Sequence, residues 1–179
     1  MTYFKESIIR NNVRIVSIHR GAVSLDNYDL SILRALEEDA RQPFAALAER
    51  VSLSKTPCWN RVRELERRQV IRGYHAAIDP RALGLSLTSF VQVRVEFGRH
   101  GEFERAVREH PAIIECFTTA GEEDYLLKVV SADVEHLDSL LRDELCRLPG
   151  VARFSTTICL KRIKEAGPLT RACATVATR

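Results

Sequence analysis

The stretch from Pro43 to Gln69, PFAALAERVSLSKTPCWNRVRELERRQ, constrains the fold more than any other part of the chain. Pro43 to Val51 is a short helical pattern with Phe44, Leu47, Ala48 and Val51 on one side, and only Ser52 and Leu53 separate it from a second helical pattern. That second pattern, Ser54 to Gln69, opens on a serine able to cap a helix, with Pro57 in the first turn, where a missing N–H is harmless. At 3.6 residues per turn, Cys58, Val62, Leu65 and Gln69 cluster on one side, and Thr56, Asn60, Arg63 and Arg67 lie opposite. A charged outer face alone describes any solvated helix; the short apolar helix and tight turn before it make this a helix-turn-helix, whose second helix enters a DNA major groove. Thr56, Asn60, Arg63 and Arg67 carry donors suited to base edges, while Lys55, Arg61 and Arg68 flank them at positions suited to phosphates. With Ser54 at the helix start, these eight residues are the expected DNA contacts. Trp59, at the edge between the two faces, is expected to pack on a neighbouring helix or domain, with a sugar or thymine methyl as the alternative.

The charge distribution agrees with that placement. Residues 52 to 81 hold seven Lys/Arg against three Asp/Glu, whereas residues 82 to 179 hold thirteen against fourteen. The five cysteines, Cys58, Cys116, Cys146, Cys159 and Cys173, form no CxxC pair and are expected to be free, the first four as buried thiols. The five histidines show no metal-ligand spacing, and no phosphate-binding, zinc-protease or dinucleotide motif is present, so neither a metal, a cofactor nor a catalytic residue is expected. No apolar run approaches the ~18 residues that span a bilayer, and residues 1 to 20 lack the apolar core of a signal peptide. The expected location is the cytoplasm, in association with the nucleoid.

Around this motif the chain divides into five segments. Residues 1–24 are an N-terminal extension, read either as loosely ordered or as a basic arm reaching DNA. Residues 25–79 are the DNA-binding domain: a first helix over Leu25 to Ala40, capped by Asp26 with Asp29 in a capping-box position and striped by Leu30, Leu33, Leu36 and Ala40, then the two helices above, then Val70 to Ile78 as a short strand or wing. Residues 80–86 are a hinge. From 87 to 164 the periodicity gives strand (Val91, Val93, Val95 and Phe97 alternating), helix (Glu102 to His110), two strands (Ile113 to Thr119 and Tyr125 to Val130), helix (Asp133 to Leu148) and strand (Val151 to Ile163). That order is the ferredoxin-like βαββαβ arrangement, so the class is α+β with a winged helix-turn-helix in front. Such a sheet, covered by helices on one face, is expected to leave apolar side chains on the other and to form a homodimer. Residues 165–179 are read as a mobile tail.

These residues resemble the Lrp/AsnC, or feast/famine, transcription regulators. The marks are LDNYDLSIL, LAERVSLSKTPCWNRVRELE, VIRGY, Pro111, TTAGEEDYLLKV and LPGVARFSTTICL, which together cover Leu25 to about Lys164. The resemblance implies a DNA-binding head, a C-terminal domain for ligand sensing and oligomerisation, dimers that associate to tetramers or octamers, and an amino acid or related metabolite as allosteric effector. It places the effector between C-terminal domains near Thr119, Gly121, Glu123 and Asp124. Gly121 would let backbone N–H groups approach a carboxylate, and Asp124 would accept from an α-ammonium; the alternative is that Gly121 only supplies a positive φ and Asp124 only caps the turn. The chain departs from the family pattern at Ser52 and Gln69, where glycine is common. Two other readings compete with a sequence-specific regulator of amino-acid metabolism. One is a sirohaem-type tetrapyrrole decarboxylase of similar layout, and the other is an architectural DNA-binding protein of low specificity.

Overall fold

A computed structural model describes residues 24–177, so the two readings of the N-terminal extension fall outside the described residues, Ser24 excepted. The chain forms two compact units. Of the described residues, one holds 24–77 together with 163–177, and the other is Ile78–Arg162.

The first unit is built from α1 (Asn27–Glu38), α2 (Phe44–Arg50) and α3 (Lys55–Arg67). Helix α1 begins with a complete capping box: Asp26 accepts from the N–H of Asp29 at 2.8 Å and Asp29 accepts from the N–H of Asp26 at 3.2 Å. Its buried stripe is Asp29, Ile32 and Ala35, with Leu33 and Leu36 at the margin; the stripe of Leu30, Leu33, Leu36 and Ala40 is one position off centre, and Ala40 lies beyond the helix end. Ile32 and Ala35 meet Leu47, Ala48 and Val51 of the α2 segment and Cys58, Val62 and Leu65 of α3 in one apolar core. Phe44, expected inside, is exposed.

Both α2 and α3 end in a Schellman motif. After α2, Leu53 donates to the Ala48 carbonyl and Ser52 to that of Glu49; after α3, Val70 donates to Leu65 and Gln69 to Glu66. The residue that turns the chain takes a left-handed backbone in each case, Ser52 at φ 55° and Gln69 at φ 58°. Val70 to Ile78 forms no strand: its first two residues close the α3 terminus, and no described strand pairs with the rest. The expected wing therefore lacks the ladder partner that would make it one. A sixth helix in chain order, α6 (Leu169–Ala177), replaces the expected mobile tail. Its N-terminus is capped from α1, where the Glu37 carboxylate accepts the N–H of Leu169 at 2.7 Å and both the N–H and the hydroxyl of Thr170.

The second unit contains β1 (Leu87–Val95), α4 (His100–Glu109), β2 (Ile113–Thr118), β3 (Tyr125–Ser131), α5 (Val134–Ser139) and β4 (Val151–Ile158). The sheet is antiparallel in the order β2-β3-β1-β4, as βαββαβ requires. Val91, Val93 and Val95 alternate onto the face where Tyr125, Leu127 and Val129 meet Phe103 and Val107 of α4 and Leu137, Leu140 and Leu145. Phe97, expected to continue the alternation, lies past the strand and is fully exposed. The second helix is not one continuous α-helix: a π turn follows at Leu140–Glu144 and a 3-10 turn at Leu145–Arg147. Residues five apart diverge by about 140° on an α-helix, whereas one i→i+5 turn brings Leu140 and Leu145 onto the same core face. Gly150 then turns into β4 at φ 76°, with the Arg99 side chain only 2.7 Å from where a Cβ would stand. Of the five cysteines only Cys58 is buried; Cys116 and Cys146 fall on exposed edges of their elements.

Candidate nucleic-acid interface and effector loop

The core contacts of Cys58, Val62 and Leu65 fix the rotation of α3, so Thr56, Asn60, Arg63 and Arg67 point away from the head and are exposed, as are Ser54 and Lys55. The four arginines on or just after α3 have different surroundings. Arg61 faces inward: its guanidinium donates to Asp26 at 2.6 Å and Asp29 at 2.8 Å and lies 5.2 Å from the Tyr28 ring centroid. The guanidinium expected at a phosphate is thus already held by the N-terminus of α1. The acidic environment raises the Arg61 pKa, through its hydrogen bonds to Asp26 and then Asp29. The backbone N–H of Asp29 lowers that of Asp26, with Arg61 adding to the effect. Arg68 donates to the Ser24 carbonyl at 2.7 Å, and Arg67 makes a two-point pair with Glu64 across one helical turn. Arg63 is the loosest, with Glu66 at 3.7 Å and the Trp59 ring centroid at 5.1 Å. Trp59 contributes nothing to the head core and is 46% exposed.

In the second unit, Thr119 to Asp124 joins β2 to β3. The loop is closed by the Thr119 N–H donating to the Asp124 carbonyl at 2.8 Å and by the Thr119 hydroxyl donating to the Glu123 carbonyl. Asp124 turns toward β1, donating its N–H to Val93 and accepting the Val95 N–H on its carboxylate at 2.9 Å. Glu123 points the other way, onto the sheet face that the helices leave open, between Arg153 at 2.7 Å and Arg94 at 3.6 Å. The loop, with Gln92, Arg153, Phe154 and Ser155, lines an open concavity of about 640 Å³. Gly121 has no positive φ, and a Cβ there would meet nothing, so its backbone makes no demand for glycine. To the loop residues expected from the sequence the concavity adds Gln92, Arg153 and Ser155. The outward alternation of β1 and β4 was the available signal for them.

Residues 25–66 match the AsnC-type helix-turn-helix domain and residues 88–169 the Lrp/AsnC ligand binding domain. The leucine-responsive regulatory protein of Escherichia coli is 39% identical over 153 residues, spanning 84% of this chain and 93% of that protein. The chain belongs to the Lrp/AsnC family. A proline dehydrogenase transcriptional activator from Rhizobium radiobacter is 38% identical over 146 residues, covering 80% of this chain and 94% of that one. Among solved structures, a Neisseria meningitidis transcriptional regulator in complex with L-Met superposes with a TM-score of 0.78 at 33% identity, over 81% of this chain and 96% of that one. As an Lrp/AsnC protein the chain is a DNA-binding transcriptional regulator, not an enzyme, which sets the decarboxylase reading aside. The two departures from the family's glycines, Ser52 and Gln69, are the two left-handed residues that end α2 and α3. No described helix is long and apolar enough to cross a membrane, and no group of side chains among the described residues is arranged to hold a metal ion.

Proposed function

We propose that this Lrp/AsnC regulator reads its operator with the outer face of α3 and responds to an amino acid held by the Thr119 to Asp124 loop. The observation that carries the first part is the exposed row of Thr56, Asn60, Arg63 and Arg67 on the second helix of the helix-turn-helix, with Ser54, Lys55 and Arg68 at its ends for phosphates. Arg61 belongs to the fold of the head rather than to the DNA contact. Residues 25–79 act as the DNA-binding domain, and 87–164 as the domain for sensing and oligomerisation. The effector is an amino acid because the concavity offers paired opposite charges, Arg153 for a carboxylate and Glu123 for an ammonium, with Thr119 and Gly121 beside them. Asp124 acts by holding the loop to β1. The L-Met complex of the Neisseria relative favours this class of ligand.

The open sheet face carries Phe117 and part of Leu126 and Phe90, and it supports a homodimer through the second unit, with further association to a tetramer or octamer. Two heads per dimer suit a palindromic site. Effector binding would favour one assembly over another and so change the spacing of the heads. The protein acts in the cytoplasm, on the nucleoid.

The test is binding of the purified chain to DNA upstream of its own gene and to scrambled DNA, across salt concentrations, with and without each amino acid. The reading requires a preference of roughly a thousandfold for one fragment, shifted by one amino acid. Weak binding to both, fading equally with salt, would instead support the architectural alternative.

A further inference from the structure

Trp59 is the one large aromatic on α3, and it is not among the residues of the head's apolar core. The core is complete without it, and nearly half of its surface is open to water. Its ring carries the guanidinium of Arg63, one turn further along the helix, at 5.1 Å from the centroid. A cation resting on an indole is attracted by the ring's quadrupole and loses part of its rotamer freedom before any ligand arrives. A guanidinium resting over a ring face keeps the N–H groups in its own plane available to donate. Among the described residues Arg63 pairs with one carboxylate, that of Glu66, at 3.7 Å, and the Tyr74 hydroxyl donates to Glu66 at 3.1 Å. Arg63 is thus held in orientation without being neutralised by a close pair, in contrast to Arg61 and Arg67.

We propose that Trp59 and Arg63 form one reading unit for a guanine with a thymine beside it. Arg63 donates two in-plane N–H groups to the guanine O6 and N7, the two-acceptor pattern found only at that base in the major groove. The free edge of the Trp59 indole, next to the guanidinium, then meets the neighbouring base. The C–H perimeter of an indole is apolar, and the one apolar group in the major groove is the C5-methyl of thymine. Trp59 is therefore both a positioning residue for Arg63 and a specificity determinant of its own. The proposal rests on the reading of α3 as the DNA-contacting helix.

The experiment uses the full chain and starts by selecting its binding sequence from random duplexes. Each thymine of the selected site is then replaced by deoxyuridine, which removes the methyl group and nothing else. Wild type, Trp59→Ala, Trp59→Phe and Arg63→Ala are compared, with thermal melting to establish that each is folded. The wild-type protein should lose roughly three- to fivefold in affinity at a thymine adjacent to a guanine, the worth of one buried methyl group. Trp59→Ala should bind the thymine and deoxyuridine sites alike, and Trp59→Phe should retain part of the difference. A wild-type protein indifferent to every such replacement, or a Trp59→Ala protein that keeps the sensitivity, overturns the proposal. Failure to select any sequence at all would overturn the DNA reading of α3 and the pair with it, and so is distinguishable from failure of the pair alone.

Discussion

Arg61 and Arg63 stand two residues apart on the same helix and have opposite surroundings. Arg61 points to the α1 side, where two carboxylates and a tyrosine ring fix it; Arg63 points outward and rests on an indole. Two positions on an α-helix are separated by about 200°, so neighbours of identical chemistry face different worlds. A count of basic residues along α3 therefore overstates the charge offered to DNA. The specific surface is narrower than the positive one. A similar division occurs in the effector loop, where adjacent Glu123 and Asp124 diverge: one toward two arginines on the open face, the other into the backbone of β1.

The contrast can be broken most forcefully at Arg63. Arg63→Ala should reduce preference for the selected site by roughly tenfold to a hundredfold, the range for one bidentate base contact, with little change in Tm. Arg61→Ala should do the reverse. It leaves the buried Asp29 carboxylate without its cation and should destabilise the head by about 1–3 kcal/mol in urea titrations, while affinities for specific and scrambled DNA fall together through the folded fraction. Ser52→Gly and Gln69→Gly sharpen the comparison from the backbone side. Each relieves a left-handed conformation and should stabilise the head by about 1 kcal/mol, measured as a rise in the urea midpoint. Arg68→Ala should weaken all DNA alike and lower the slope of log affinity against log salt by about one, a phosphate signature that neither Arg61 nor Arg63 should reproduce cleanly.

The smallest effect concerns acid. Asp26 titrates below its ordinary range in the folded head, so its stabilising contribution is complete above that ordinary value and is lost as the pH falls through it toward the folded value. Head stability should decline over that acidic window, and Asp26→Asn should flatten the decline in denaturation curves taken at successive pH values.

Local pattern was enough for the helix-turn-helix, the capping box at Asp26 and Asp29, and the strand order of the second unit, because each is written in residues close together in the chain. What escaped depends on distant partners. The inward turn of Arg61 requires α1, more than thirty residues earlier. Helix α6 is capped by Glu37 from the other end of the chain, and LTRACATVA alone contains no residue that announces this. The wing failed for the complementary reason: VIRGYHAAI has strand composition but no strand to pair with among the described residues. The leucine stripe of α1 was misplaced by one position because leucines at 30, 33 and 36 flank the true centre, Ile32 and Ala35. In the candidate site, the loop was legible from its turn residues, whereas Arg153 and Gln92 enter it through the pairing of β1 with β4.

The most direct test of α3 as a base-reading surface is guanine N7 methylation interference on the selected operator, with wild type and Arg63→Ala side by side. Methylation at N7 removes a major-groove acceptor without disturbing the phosphates. The arrangement of α3 predicts that one guanine in each half-site blocks the wild-type protein when methylated and is indifferent to Arg63→Ala. The same interference pattern in both proteins, or none in the wild type, would contradict it.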